Sequence, residues 1–86
     1  MTEPAPEDLP DGIARVVDAR GLACPRPVID LAAAIEAVAD GAVVELWADD
    51  PTARVDVPVW CRMRRQALRA VDDVDGALRF RVERRA

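Results

Sequence analysis

Histidine and lysine are both missing from this 86-residue chain, and each absence excludes some chemistry. Without histidine the usual general base, the usual Cys–His nucleophile pair and most zinc-site designs are unavailable. Without lysine, arginine carries all 12 positive charges; its planar fork suits two-point contacts with acidic partner surfaces. Positive charge is also outnumbered. The net charge of −4 argues against wrapping a phosphate backbone, and aromatic residues, at 3%, are too scarce for stacking on unpaired bases. No apolar run approaches the ~20 residues of a membrane span, and the first twelve residues, MTEPAPEDLPDG, are acidic where a secretory leader would be basic and then apolar. These absences predict a cytoplasmic protein with no membrane and no direct nucleic-acid partner. Cysteine is sparse too. Cys24 and Cys61 form no CxxC pair, and in a cytosolic chain two such thiols are expected reduced. No metal site is expected.

What remains is 51% hydrophobic and 33% charged, a globular composition. The length suits one small domain, which buries only roughly 60–65% of its unfolded surface, so any site must lie near the surface. Residues 1 to 12 read as a flexible acidic tail containing three prolines. Residues 13–86 read as the single domain.

Along that domain, Ile13 to Ala19 is a first strand. A loop follows, with Gly21 as its flexible point. In CPRPVIDLAAAIEAVADG, the residues Val28, Leu31, Ile35 and Val38 recur at helical spacing. Pro25 and Pro27 fall in the first turn, where a missing N–H breaks no internal bond, and Gly41 is expected to cap the end. Ala42 to Ala48 is a second, nearly continuous apolar strand, expected to be covered on both faces or to take a central position. DDPTARVD reads as a turn that starts a short helical piece, and Pro58 restarts the pattern with an apolar stripe of Val59, Trp60, Met63 and Ala67. The Arg62, Arg64, Arg65, Arg69 run is expected on that helix's wet face. RAVDDVDGALRFRVER reads as a hairpin about Asp75-Gly76, with Leu78, Phe80 and Val82 alternating against Arg79, Arg81 and Glu83. The order βαβαββ predicts an α/β two-layer sandwich, a four-stranded mixed sheet with two helices on one face.

The chemistry converges on Cys24. If it caps the first helix, its sulfur lies at the helix's positive end, where a thiolate is favoured. Arg20 and Arg26 flank it and are expected to bias the thiol toward its anion or to contact a partner, while Gly21, Leu22, Pro25 and Pro27 shape the presenting loop. With no base at hand, acyl transfer is hard to run, whereas thiol–disulfide and thiol–persulfide exchange need only a thiolate, a sulfur leaving group and access. Free cysteine is also a common packing residue, and this is the expectation for Cys61, beside Trp60 in an apolar stripe. Asp49 and Asp50, directly before Pro51, read as carboxylates that cap and solvate a turn. Trp47 and Trp60 read as core or half-core aromatics.

DARGLACPRPVIDL followed by ADDPTARVDVPVWC resembles the TusA/SirA-like family of small bacterial sulfur carriers. Three elements carry the likeness: Gly-Leu-x-Cys-Pro-x-Pro, the Ala-Asp-Asp-Pro turn, and Asp-x-Pro-x-x-Cys. It covers about residues 16 to 84. The resemblance implies the βαβαββ sandwich already read from the pattern. It also implies that Cys24 accepts a persulfide sulfur from a cysteine desulfurase or other donor and relays it to an acceptor protein, with no cofactor beyond that transient persulfide. The family's routes include tRNA thiolation, molybdenum-cofactor assembly and sulfur oxidation. Cys61 matches a second cysteine of some members that the carrier chemistry does not require. Arg26 stands where a familiar member has Glu, and Ala23 where it has Arg, which rearranges the charge around the thiol and bears on partner identity. The alternative from another class is a non-catalytic module in which Cys24 senses oxidation and regulates binding.

Overall fold

Four short segments, alternating in β4 and nearly continuous apolar in β2, build a sheet that packs one face against the helices. The computed structural model describes residues 12–85; apart from Gly12, the tail expected over residues 1–12 lies outside the described residues. The elements are β1 (Ile13–Asp18), α1 (Arg26–Ala37), β2 (Val43–Ala48), α2 (Ala53–Arg64), β3 (Ala67–Val74) and β4 (Ala77–Glu83). The sheet order is β1-β2-β4-β3, with β1 and β2 parallel and both other pairs antiparallel. This is the expected mixed sheet. The continuous apolar strand β2 takes a central position, since a strand paired on both sides has most to gain from burial. Packing follows sequence order, with α1 against β1 and β2, and α2 against β3 and β4.

The dry face is set by register. Residues opposite one another share a face, and Leu46 pairs with both Val17 and Phe80, as Val44 does with Val82. These side chains, with Leu31, Ala34 and Ile35 of α1 and Ala53, Val57 and Cys61 of α2, form one core. The hairpin forms as expected. Asp75 and Gly76 have φ of 52° and 82°, both positive as a two-residue turn matched to the strand twist requires.

Three expectations about the helices are corrected. Gly41 does not cap α1, which ends four residues earlier at Ala37, with Val38 extended as its C-cap. The free carbonyls of Glu36 and Val38 instead accept from the Arg84 guanidinium, which Asp40 also holds at 3.2 Å. A residue beyond β4 has replaced the local glycine cap. Second, α2 is one helix and Pro58 lies inside it, rather than a short piece followed by a restart. Its buried stripe is Ala53, Val57 and Cys61, at steps of four. Met63 is 76% exposed, Val59 is exposed as well, and Ala67 belongs to β3. Third, Arg69 lies on β3 and binds Glu83 at 2.8 Å, while Arg65 ends α2 with a φ of 57°; Arg62 and Arg64 alone keep the helical position expected of the run.

Among the described residues no helix covers the sheet's other face, which is mostly polar but buries Val16 opposite Glu45. Its centre is Glu45, 1% exposed, which accepts from Trp47 Nε1 at 2.7 Å and Arg81 Nε at 3.2 Å. Buried charge is tolerated only where it is paired and hydrogen-bonded. The Trp47 ring is flanked by the guanidiniums of Arg20 and Arg79 at 5.0 and 4.8 Å. Glu45→Ala is therefore expected to cost about 2 kcal/mol in urea unfolding, because two donors lose their acceptor. Glu45→Gln, which keeps an acceptor for Trp47, should cost less than half of that.

Candidate functional site

Parallel pairing of β1 and β2 brings their two C-terminal ends to the same edge of the sheet, and the loops leaving those ends meet there. Ala19 N–H donates to the Trp47 carbonyl at 2.8 Å. Gly21, at a φ of +80°, turns the chain in a conformation that side-chain-bearing residues rarely adopt, and its N–H reaches Asp49 Oδ1 at 2.9 Å. Leu22 N–H returns to the Ala19 carbonyl at 3.2 Å while its side chain packs on the core. Cys24 N–H then donates to Asp50 Oδ2 at 2.8 Å. The other Asp50 oxygen accepts from the Thr52 N–H and hydroxyl, both at 2.9 Å. Asp50 holds the turn, as the sequence suggested, and Asp49 and Asp50 together tie it to the cysteine loop.

Cys24 is exposed, but it is not the cap of α1. Pro25 holds the N-cap position, Arg26 begins the helix, and no side chain caps it; the Cys24–Pro25 peptide is cis. Pro27 is buried in the first turn, as expected of a residue that needs no N–H there. The thiol points across to α2, where Sγ–H donates to Asp56 Oδ2 at 2.8 Å.

The expected lowering of the thiol's ionisation is reversed. The bond to Asp56 stabilises the protonated form and pushes the Cys24 thiol above its ordinary value, opposed in part by the Thr52 hydroxyl and reinforced by the negative charges of Asp56 and Asp50. The two arginines do not offset this. Arg20 clamps Asp18 through Nε at 2.9 Å and Nη2 at 2.8 Å and lies against Trp47. There it lines a 310 Å³ hollow with Asp49, Asp75 and Arg79. Arg26 pairs with Asp30 at 3.1 Å. Neither is among the groups that shift the thiol, so the expected bias toward the anion is not seen; both guanidiniums stay largely exposed beside their carboxylates. Their own carboxylates sit at positions i−2 and i+4, which compete for a guanidinium more effectively than an exposed sulfur.

Beside the thiol runs an apolar groove of 320 Å³ between the helices, lined by Cys24, Pro25, Val28, Asp56, Val59, Trp60 and Met63. Val59, Trp60 and Met63, expected to pack as one stripe, floor or rim this groove; Trp60 is half-buried against the core as expected, whereas Val59 and Met63 are exposed. Asp56 and Thr52 were missed altogether. The signal available for Asp56 was its place two residues before Pro58 in the Asp-x-Pro-x-x-Cys element.

Cys61 lies in the core at 2% exposure, as expected of a packing residue. Burial pushes its thiol up to about 11 from a reference of 9.0. A thiol whose folded value is raised contributes stability below the unfolded value, and this is lost as pH rises through the folded one. Stability should therefore decline between pH 9 and 11 by up to about 2 kcal/mol from this group, and Cys61→Ala should remove that part of the decline in denaturation curves measured across the range.

Among the described residues, no helix is long and apolar enough to cross a membrane. The family model for the sulfurtransferase TusA matches residues 15–84. A protein of Archaeoglobus fulgidus, described as a candidate sulfur carrier, is 41% identical over 68 residues, spanning 78% of this chain and 88% of its own. The crystal structure of a SirA-like protein from Desulfitobacterium hafniense superposes with a TM-score of 0.73 at 22% identity, covering 83% of this chain and 97% of that one; at that identity the likeness concerns the fold. With the family model spanning both the thiol loop and α2, the chain belongs to the TusA sulfurtransferase family.

Proposed function

We propose that this protein is a cytoplasmic sulfur carrier in which Cys24 bears a persulfide. The observation that carries the reading is an exposed thiol, held at the edge of a rigid sheet by backbone bonds to Asp49 and Asp50 and opening onto an apolar groove. In loading, the Cys24 thiolate attacks the outer sulfur of a donor persulfide. The Sγ–S bond forms, the donor's S–S bond breaks, and its electron pair leaves on the donor's thiolate; the proton given up by Cys24 passes through solvent to that thiolate. No net oxidation takes place. The donor is a cysteine desulfurase or another protein persulfide, and unloading repeats the exchange with an acceptor protein. Family membership supports a route in tRNA thiolation, molybdenum-cofactor assembly or sulfur metabolism.

A raised thiol is compatible with this work. Its thiolate is rarer but intrinsically more nucleophilic, and the partner supplies the leaving group. It fits a peroxide sensor less well, because oxidation follows thiolate character.

Incubation with a cysteine desulfurase and cysteine is expected to add one sulfur atom, about 32 Da, to the intact chain, mapped to Cys24. Cys24→Ser should gain nothing, whereas Cys61→Ala should load as wild type does. Equal loading of Cys24→Ser would move the site elsewhere.

A further inference from the structure

We propose that Asp56 is a latch that distinguishes the empty carrier from the loaded one: its carboxylate accepts the Cys24 thiol hydrogen in the empty protein and loses that bond once a persulfide forms, because Sγ then carries no hydrogen. The inference rests on the sulfur-carrier reading and adds to it a residue whose contact with the reacting sulfur changes with load.

The geometry is direct. Sγ and Asp56 Oδ2 are 2.8 Å apart, and Asp56 lies in the first turn of α2, where the helix end favours a negative side chain. A carboxylate at that place can only accept, and in the empty protein the thiol is its donor. The Thr52 hydroxyl also acts on the sulfur, and the other polar groups near it have partners elsewhere. Asp50 holds the Cys24 and Thr52 N–H groups and the Thr52 hydroxyl, Asp49 holds Gly21, Arg20 is bound to Asp18 and Arg26 to Asp30.

Loading inverts this contact. The Sγ–S bond replaces the S–H bond, and Sγ then offers Oδ2 only lone pairs. Two acceptors at hydrogen-bond distance repel, so the side chain turns its sulfurs away from α2 toward the groove mouth. The backbone bond from Cys24 to Asp50 involves no sulfur and persists, which confines the change to the side chain. Empty and loaded carriers thus present different surfaces to the next protein, and the empty thiol stays protonated, shielded from alkylation and oxidation until a donor arrives.

The test uses the full chain with Cys61→Ala, so that Cys24 is the one thiol, alone and with Asp56→Asn or Asp56→Glu. Thiolate absorbance is titrated and the rate of iodoacetamide reaction is measured at pH 7.5. Asp56→Asn is expected to lower the titration of the Cys24 thiol and to speed the reaction roughly threefold, the gain in thiolate outweighing its lower intrinsic nucleophilicity, and Asp56→Glu to restore most of the parent behaviour. In amide NMR spectra, loading with inorganic polysulfide should shift the Asp56 and Val57 resonances of the Cys61→Ala protein, and shift them by less than half as much with Asp56→Asn. An unchanged titration, or equal NMR shifts, in a protein that does load would overturn the latch alone. Failure of the Cys61→Ala protein to take up any sulfur would overturn the carrier reading and the latch with it.

Discussion

The two oxygens of Asp50 hold the site together. One takes the Cys24 N–H, the other the Thr52 N–H and hydroxyl, so a single carboxylate fixes the start of α2 relative to the cysteine loop. This is possible only because β1 and β2 are parallel neighbours and release their loops at the same edge. From that tie follow the direction of the thiol, its contact with Asp56, and the groove between the helices. The ligand-facing ends of parallel strands are a recurrent place for sites in α/β sheets, and this small sheet has one parallel pair with which to make one.

Much of the fold was legible because it rests on short-range pattern. Alternation of Leu78, Phe80 and Val82 against arginine and glutamate fixed the faces of β4, and Asp75-Gly76 fixed its turn. The near-continuous apolar run of β2 marked a central strand. The pattern failed where distant residues intervene. Nothing local shows that Arg84, beyond the last strand, supplies the acceptors' partner at the end of α1 and makes Gly41 unnecessary as a cap. Pro58 reads as a break, yet α2 runs through it, because burial of Ala53, Val57 and Cys61 on the core outweighs one missing helical bond.

The exposed place of Cys24 beside the first helix was also legible; its electrostatics were not. Flanking arginines and a helix start suggested an activated thiolate. Two near-neighbour carboxylates, Asp18 and Asp30, occupy those arginines, and a third, Asp56, comes from another element to hold the thiol's proton. Charge near a sulfur in sequence says little until the partners of that charge are known. The outcome is a thiol that is accessible but quiet, in keeping with the proposed exchange of sulfur with chosen partners rather than with any passing electrophile. The polar sheet face, organised about buried Glu45 and the Arg20–Trp47–Arg79 stack, lies behind this loop and steadies it through Arg20.

Cold cyanolysis reads out the sulfur proposed on Cys24, because cyanide removes only sulfane sulfur and releases it as thiocyanate. The loaded chain, freed of donor and small molecules, is predicted to yield one thiocyanate per chain and to return to its unmodified mass, with no yield from Cys24→Ser treated in the same way. Absence of thiocyanate from the treated wild type, or an equal yield from Cys24→Ser, would contradict the assignment of Cys24 as the sulfur-bearing residue.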